Sequence, residues 1–259
     1  MKICWSSNGR LRTKYLLNFK KISARIPNSI ISQRKKHVEV FSEGDYIRKL
    51  IVQNTEISDN HMTPELKLHL ITPKCKLWWS KGDNSPFCDP YWAFYWSGGQ
   101  VISRYILDHP SQFLDKCVLD VGAGCGASAI AAAKTGAKTA ISNDVDEVAG
   151  IAAKMNAKLN DVSVQIDTCN LIGQTGRGWD VVLLGDMFYD ASFADTVIQW
   201  VTTLMKNNTE ILIGDPGRLP LLTHPVKNTL TKVAEYKLPY ELARENNGFT
   251  TGTVWTIKR

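Results

Sequence analysis

Val118-Leu119-Asp120-Val121-Gly122-Ala123-Gly124-Cys125-Gly126-Ala127 is the stretch that decides the fold. Its apolar first half continues a run that starts at Cys117 and reads as a buried strand, and Ala127 to Lys134 after it is rich in helix formers. Between them stand three glycines in five residues. They let the chain turn sharply, and they let a ligand approach where a Cβ would otherwise stand. A glycine-rich turn from strand to helix is the context of a nucleotide-like cofactor, whereas a turn with glycines for packing alone is the plainer alternative.

The alternation continues downstream. Strands are predicted at 139–143 (TAISN), 163–166 (SVQI), 180–186 (DVVLLGD), 210–215 (EILIGD) and 253–257 (TVWTI). Helices are predicted over 148–159, where Val148, Ile151, Met155 and Leu159 recur at helical spacing, and over 192–205 and 223–233. Upstream, the spacing predicts a helix over 38–57 and a half-buried strand over 65–70, for which a helix opened by Thr63-Pro64 is the competing reading. A turn-rich loop follows at 80–90, then the aromatic run Tyr91-Trp92-Ala93-Phe94-Tyr95-Trp96, then Ser97-Gly98-Gly99 and a helix over 100–109. Short strands alternating with helices make an α/β, doubly wound, mostly parallel sheet. The last strand follows a loop instead of a crossover helix and is expected to run antiparallel. Such sheets bind ligands beyond the carboxyl ends of their strands, where the strand order reverses.

The glycines leave two cofactors open, because G-A-G-C-G-A also satisfies the dinucleotide fingerprint. Asp144, at the end of the second strand of this unit, suits the ribose hydroxyls of either NAD or S-adenosylmethionine. Asp120 tilts the choice. An acid at the end of the first strand would repel a pyrophosphate and attract the ammonium and sulfonium of S-adenosylmethionine.

With these residues in place the sequence resembles the seven-β-strand methyltransferases, and within them the protein-lysine branch. LDVGAGCGA (119–127) matches that family's S-adenosylmethionine loop, with Asp120, Gly122, Gly124 and Gly126, and Asp144 matches its ribose acid. GDMFYD (185–190) matches the D-x-x-Y/F motif of the branch, which puts Asp186 and Tyr189 in the catalytic positions. The blocks HMTPELKLHLITP, DPYWAFYWSGGQ and GDPGR resemble the mitochondrial members of the branch over about residues 61–259. The resemblance implies a seven-stranded class I methyltransferase fold. It also implies a matrix enzyme using S-adenosylmethionine, with the β subunit of the electron transfer flavoprotein as its protein substrate. It suggests Trp96 as a cover for the cofactor and Asn170 as its adenine contact. Residues 39–110 become an extension packing on and covering the cofactor site, and 111–259 the methyltransferase domain.

Each of these residues also has a plainer reading. Asp186 could cap the next helix, Trp96 could be core, and Asn170 could belong to an exposed turn. Asp215 and Arg218 face the cleft, as substrate contacts or as a turn. If Asp186 acts on a lysine, its role is capture and orientation, because a carboxylate favours the charged amine over the neutral nucleophile.

Charge and composition narrow the function further. The net charge of +6 arises in residues 1–38, which hold ten of the 31 Lys and Arg and no acid, leaving 21 basic against 25 acidic residues in the rest. Bulk attraction to nucleic acid therefore disappears, and no nucleic-acid partner is expected. Within that segment Leu11, Tyr15, Phe19, Ile22 and Ile26 share one helical sector beside a basic one. Its serines and missing acids complete the pattern of a mitochondrial transit peptide over 1–38, with a solvated basic tail as the rival. No apolar run approaches the roughly 20 residues of a membrane-spanning helix. The six cysteines form no C-x-x-C pair and the histidines are scattered, so no metal and no disulfide framework is expected. The chain is expected to be a monomer. A methyltransferase acting on a nucleic acid or small amine is the alternative function; amino-directed nucleic-acid enzymes often carry N/D-P-P-Y/F where this chain has GDMFY.

Overall fold

The computed structural model describes residues 42–80, 85–240 and 248–258. The predicted transit peptide lies outside them. Residues Glu43–Arg259 form one compact unit. It opens with helix α1 (Glu43–Asn54) and an antiparallel pair, β1 (Glu56–Ser58) and β2 (Leu68–Leu70). Helix α2 (Ser97–Asp108) leads into the alternating region: β3 (Cys117–Val121), α3 (Ala127–Lys134), β4 (Thr139–Asn143), α4 (Glu147–Leu159), β5 (Gln165–Asp167), β6 (Val181–Gly185), α5 (Ala191–Met205) and β7 (Glu210–Asp215). The short α6 (Leu219–Leu222), β8 (Leu230–Lys237) and β9 (Thr251–Ile257) complete the unit.

Seven strands form one sheet in the order β5-β4-β3-β6-β7-β9-β8. The first five are parallel, and β9 runs antiparallel to both β7 and β8. The chain moves outward from β3 to β4 and β5, then returns to β6 on the other side. The order therefore reverses between β3 and β6, which places a ligand crevice beyond their carboxyl ends.

Alternation within the strands decides which side chains meet which helices. Val118, Leu183 and Leu212 pack with Val101, Ile102 and Ile106 of α2 and Ile130 of α3. Leu119, Val182, Leu184, Ile211 and Ile213 face the other way, onto Val197, Ile198 and Val201 of α5. Each such fully buried Leu or Ile contributes roughly 1.5 to 3 kcal/mol.

Three expectations shift. The segment 223–233 is not a helix. Pro225 begins a 3-10 turn that ends at Thr229, and Leu230–Lys237 is the edge strand β8, paired with β9 with a register shift between Lys232 and Ala234. Its Lys232, Glu235 and Lys237 suit an edge that must not recruit another strand. Residues 56–58, assigned to the end of a helix, pair with 68–70, and only this last part of 65–70 is strand. Helix α2 starts at Ser97, three residues early, with Gly98 and Gly99 inside its first turn.

That glycine pair has a packing cause. A Cβ on Gly98 would strike the Gly214 carbonyl and the Asp186 amide, and one on Gly185 would come 2.9 Å from the Cα of Gly99. The helix backbone thus lies directly on the carboxyl ends of β6 and β7. Gly in a helix costs about 1 kcal/mol relative to Ala, and here that cost allows an approach no larger residue permits.

Candidate active site

The turn after β3 has Gly122, Gly124 and Gly126 at φ +65°, +51° and +78°. A Cβ at Gly126 would sit 2.7 Å from that of Ala153 on α4, and one at Gly122 would strike the Met187 side chain. Those two glycines therefore fit the loop against its neighbours as well as turning it. Gly124 faces the backbone of Trp92, whose Cα would be 3.5 Å from its Cβ, and its N–H donates to Asp144 Oδ2 at 2.9 Å. Asp144 Oδ1 accepts from the Asp146 N–H at 3.0 Å, so the ribose acid is held by two backbone donors with lone pairs to spare. Asp120 is buried, and its Oδ2 accepts from the Ala129 N–H in the first turn of α3 at 3.1 Å.

These acids have little to offset them. Burial, with the Asp144 charge adding to it, pushes Asp120 up to about 7; burial also raises Asp144 and Asp146. In the segment before α2 and in its first turn, Trp92 Nε1 and Ser97 Oγ are buried without a hydrogen-bond partner among the described residues. Buried carboxylates beyond the ends of β3 and β4 fit a ligand that brings cationic groups, as the ammonium and sulfonium of S-adenosylmethionine do. Among the described residues no cluster of His, Cys, Asp and Glu could hold a metal.

The second half of the site lies at β6 and β7. Asp186 is buried and takes a left-handed conformation, φ +59°, which costs a non-glycine residue about 1 kcal/mol or more. Three bonds hold it there: its N–H donates to the Gly214 carbonyl at 2.9 Å, its Oδ2 accepts from the Gly98 N–H, and its Oδ1 accepts from Arg218 Nε. The cap of α5 is Asp190, which accepts from the Phe193 N–H at 3.0 Å, so Asp186 does not cap the next helix in the chain. Tyr189 is half-exposed and stacks on Phe193 with ring centroids 5.4 Å apart.

Trp96 caps α2 two residues before Gly98. Its indole N–H donates to the Tyr91 carbonyl at 3.1 Å, and its ring tilts against Phe94 at 5.7 Å. Asn170, after β5, is exposed, with Oδ1 accepting from the Ile172 N–H. Beside Arg218 of the GDPGR block, two residues that the sequence reading did not single out, Asn156 and Asn143, also shape the site. Asn156 on α4 donates to the Cys125 carbonyl at 2.9 Å and accepts from the His69 N–H at 2.7 Å, tying the glycine loop to β2. Asn143 donates to the Asp167 and Cys169 carbonyls, both at 2.8 Å, and Arg218 pairs with Asp186. A buried Asn at a helical position resembles any polar residue in sequence; only the fold reveals its partners.

A family model for ribosomal protein L11 methyltransferase (PrmA) matches residues 105–207. The electron transfer flavoprotein beta subunit lysine methyltransferase of Homo sapiens is 46% identical over 212 residues, covering 81% of this chain and 81% of its own. Its counterpart from Xenopus laevis is 40% identical over 250 residues, covering 96% of this chain and 99% of its own. Among solved structures, a ribosomal protein L11 methylase from Lactobacillus delbrueckii subsp. bulgaricus covers 61% of this chain and 77% of its own, with a TM-score of 0.45 and 19% identity. That looser likeness adds nothing to what the sequence relatives establish.

The strand order, the glycine turn after β3 and the acids ending β3 and β4 define a class I methyltransferase that uses S-adenosylmethionine. Within that class, at such identity across most of both chains, this chain belongs to the electron transfer flavoprotein beta subunit lysine methyltransferase family.

Proposed function

We propose that this chain methylates lysine side chains of the electron transfer flavoprotein β subunit in the mitochondrial matrix. The names of its relatives support the substrate, and the basic, acid-free residues 1–38 support import. The observation that carries the reading is Asp186: a buried carboxylate at the sheet's switch point, fixed by the first turn of α2 and by Arg218.

The bound donor supplies an electrophilic methyl group on a sulfonium. The chain must set a lysine amine in line with it and keep water out. Asp186 captures and orients the amine, and the Tyr189 ring, stacked on Phe193, walls the channel. Asp120 holds the cationic end of the donor and Asp144 its ribose diol, and the turn at Gly122, Gly124 and Gly126 admits it. Trp96 covers the donor and Asn170 contacts its adenine. Residues 39–110 cover this site, a reading supported by Trp92 beside Gly124 and by the Gly98 N–H on Asp186.

Lysine is roughly 0.4% neutral at pH 8 when unperturbed, so raising that fraction is part of the task. The test is to incubate the protein and labelled methyl donor with a matrix extract from cells lacking the enzyme. Label on lysines of the flavoprotein β subunit is expected. Label confined to RNA or to small amines would overturn the reading.

A further inference from the structure

Asp186 carries a charge problem into the reaction. A carboxylate beside a lysine stabilises the ammonium, yet only the neutral amine has a lone pair to give. In this structure the carboxylate already has a cation. Arg218 Nε donates to Asp186 Oδ1, and the two side chains are only 14% and 5% exposed, so solvent does little to weaken the pair. The turn after β7 is built to deliver that guanidinium. Asp215, the last residue of β7, accepts the N–H of Gly217 and the N–H of Arg218 through Oδ1, both at 2.7 Å. Its other oxygen is buried without a partner, and burial pushes Asp215 up to about 7.

The groups around Asp186 come from three elements. Helix α2 contributes the uncharged Gly98 amide, the turn after β7 contributes Arg218 with Asp215 behind it, and its own loop contributes Tyr189. Asp120 and Asp144 sit at the ends of β3 and β4 and act on each other.

We infer that Arg218 is a positioning residue for methyl transfer, holding the Asp186 carboxylate and offsetting its charge so that the pocket admits the substrate lysine as a neutral amine. This rests on the lysine-methylation reading above. The lysine Nζ gives one proton to water before transfer. Its lone pair then forms the N–C bond while the C–S bond breaks, leaving a neutral thioether and a methylammonium.

The pH profile of kcat, which reports groups ionising in the enzyme–substrate complex, reads this directly. Unmodified enzyme, Arg218→Gln and Arg218→Lys are assayed on the flavoprotein β subunit with labelled donor between about pH 7 and about pH 10, with donor affinity measured by calorimetry. In the Gln variant the acid limb should move up by about one unit or more, the size expected for losing one nearby charge. That is about a tenfold loss of rate near pH 8, shrinking as the pH rises, with donor affinity unchanged. The Lys variant should keep the limb near its original place. A Gln variant that binds donor normally and keeps the original limb, whatever its maximal rate, overturns the inference. Should Gln fold poorly, Arg218→Met, which retains the apolar stem, is read by the same criterion. Failure of the unmodified enzyme to label any lysine of the β subunit would instead sink the lysine reading.

Discussion

At the cofactor end of the site, Gly124 and Asp144 are bonded across only 20 residues of chain. At the amine end, Asp186 meets Gly98 from 88 residues away and Arg218 from 32. The first half is made by local backbone geometry, one turn and the strand beside it. The second exists only once α2 has settled on the ends of β6 and β7. Their electrostatics differ in parallel. Asp120, Asp144 and Asp146 are raised by burial, whereas Asp186 is paired with a cation. Damage at the cofactor end should therefore appear as lost donor affinity or loop strain, and damage at the amine end as lost transfer with the donor still bound.

The sharpest break is Asp186→Asn. It keeps an acceptor for Gly98 and removes the charge proposed above to orient the amine. Transfer should fall about a hundredfold or more, the cost of misplacing a reacting group, while donor affinity by calorimetry stays within about twofold of the unmodified enzyme's. Both variants strand Arg218 without its counter-charge and should destabilise the fold by about 3 to 5 kcal/mol, Ala the more because it also loses the acceptor for the Gly98 N–H. A parallel collapse of donor affinity in the Asn variant would show that the two ends are not separable.

Asp120→Asn acts at the other end and on smaller terms. Losing one charge-assisted contact of about 1.5 to 3 kcal/mol should weaken donor binding roughly ten- to a hundredfold. The pH dependence gives the sign. Asp120 folds with its pKa raised to about 7, so it contributes stability that is full below the unfolded value near 4 and is lost as pH climbs through about 7. Donor-free enzyme should thus lose thermal stability over that window, and donor affinity should rise over it as the carboxylate ionises. The Asn variant should flatten both curves in part, since Asp215, also raised to about 7, remains. Unchanged curves would mean that Asp120 is not the group titrating.

The same contrast explains what the sequence disclosed. The parallel half of the sheet was legible because each strand is a buried apolar run beside a helix of clear period, and the glycine turn announces itself within ten residues. Strand β8 was not, because LTKVAEYK is an edge whose half-exposed, charged residues also fit a helical spacing; its identity comes from β9. Gly98 and Gly99 looked like a break before a helix and are the face on which that helix rests. Asp186 could be picked out by its motif, but its bond to Arg218 could not. GDPGR placed Arg218 at the right end of the sheet without naming its partner.

Within the glycine turn, Gly126→Ala and Gly124→Ala separate packing from backbone strain. Both residues have positive φ, a cost of about 1 to 2 kcal/mol for Ala. Only Gly126 would also drive its Cβ to 2.7 Å from Ala153, against an ordinary 3.5 Å contact at Gly124. Overpacking adds about 1 to 3 kcal/mol, so Gly126→Ala should show the larger fall in thermal stability. Equal losses would mean that α3 and α4 separate freely at this point.

The smallest expected effect tests the amine end most finely. Tyr189 is 53% exposed and its ring lies nearly parallel to that of Phe193, at 23°. A wall needs the ring and not the hydroxyl. Tyr189→Phe should therefore keep the rate within about threefold, while Tyr189→Ala, losing a stacked pair worth about 0.5 to 1.5 kcal/mol, should lose up to about tenfold. If Phe were as damaging as Ala, the hydroxyl would be orienting the amine. The amine end would then depend on a polar group held by its half-exposed ring, and not on the buried Asp186–Arg218 pair alone.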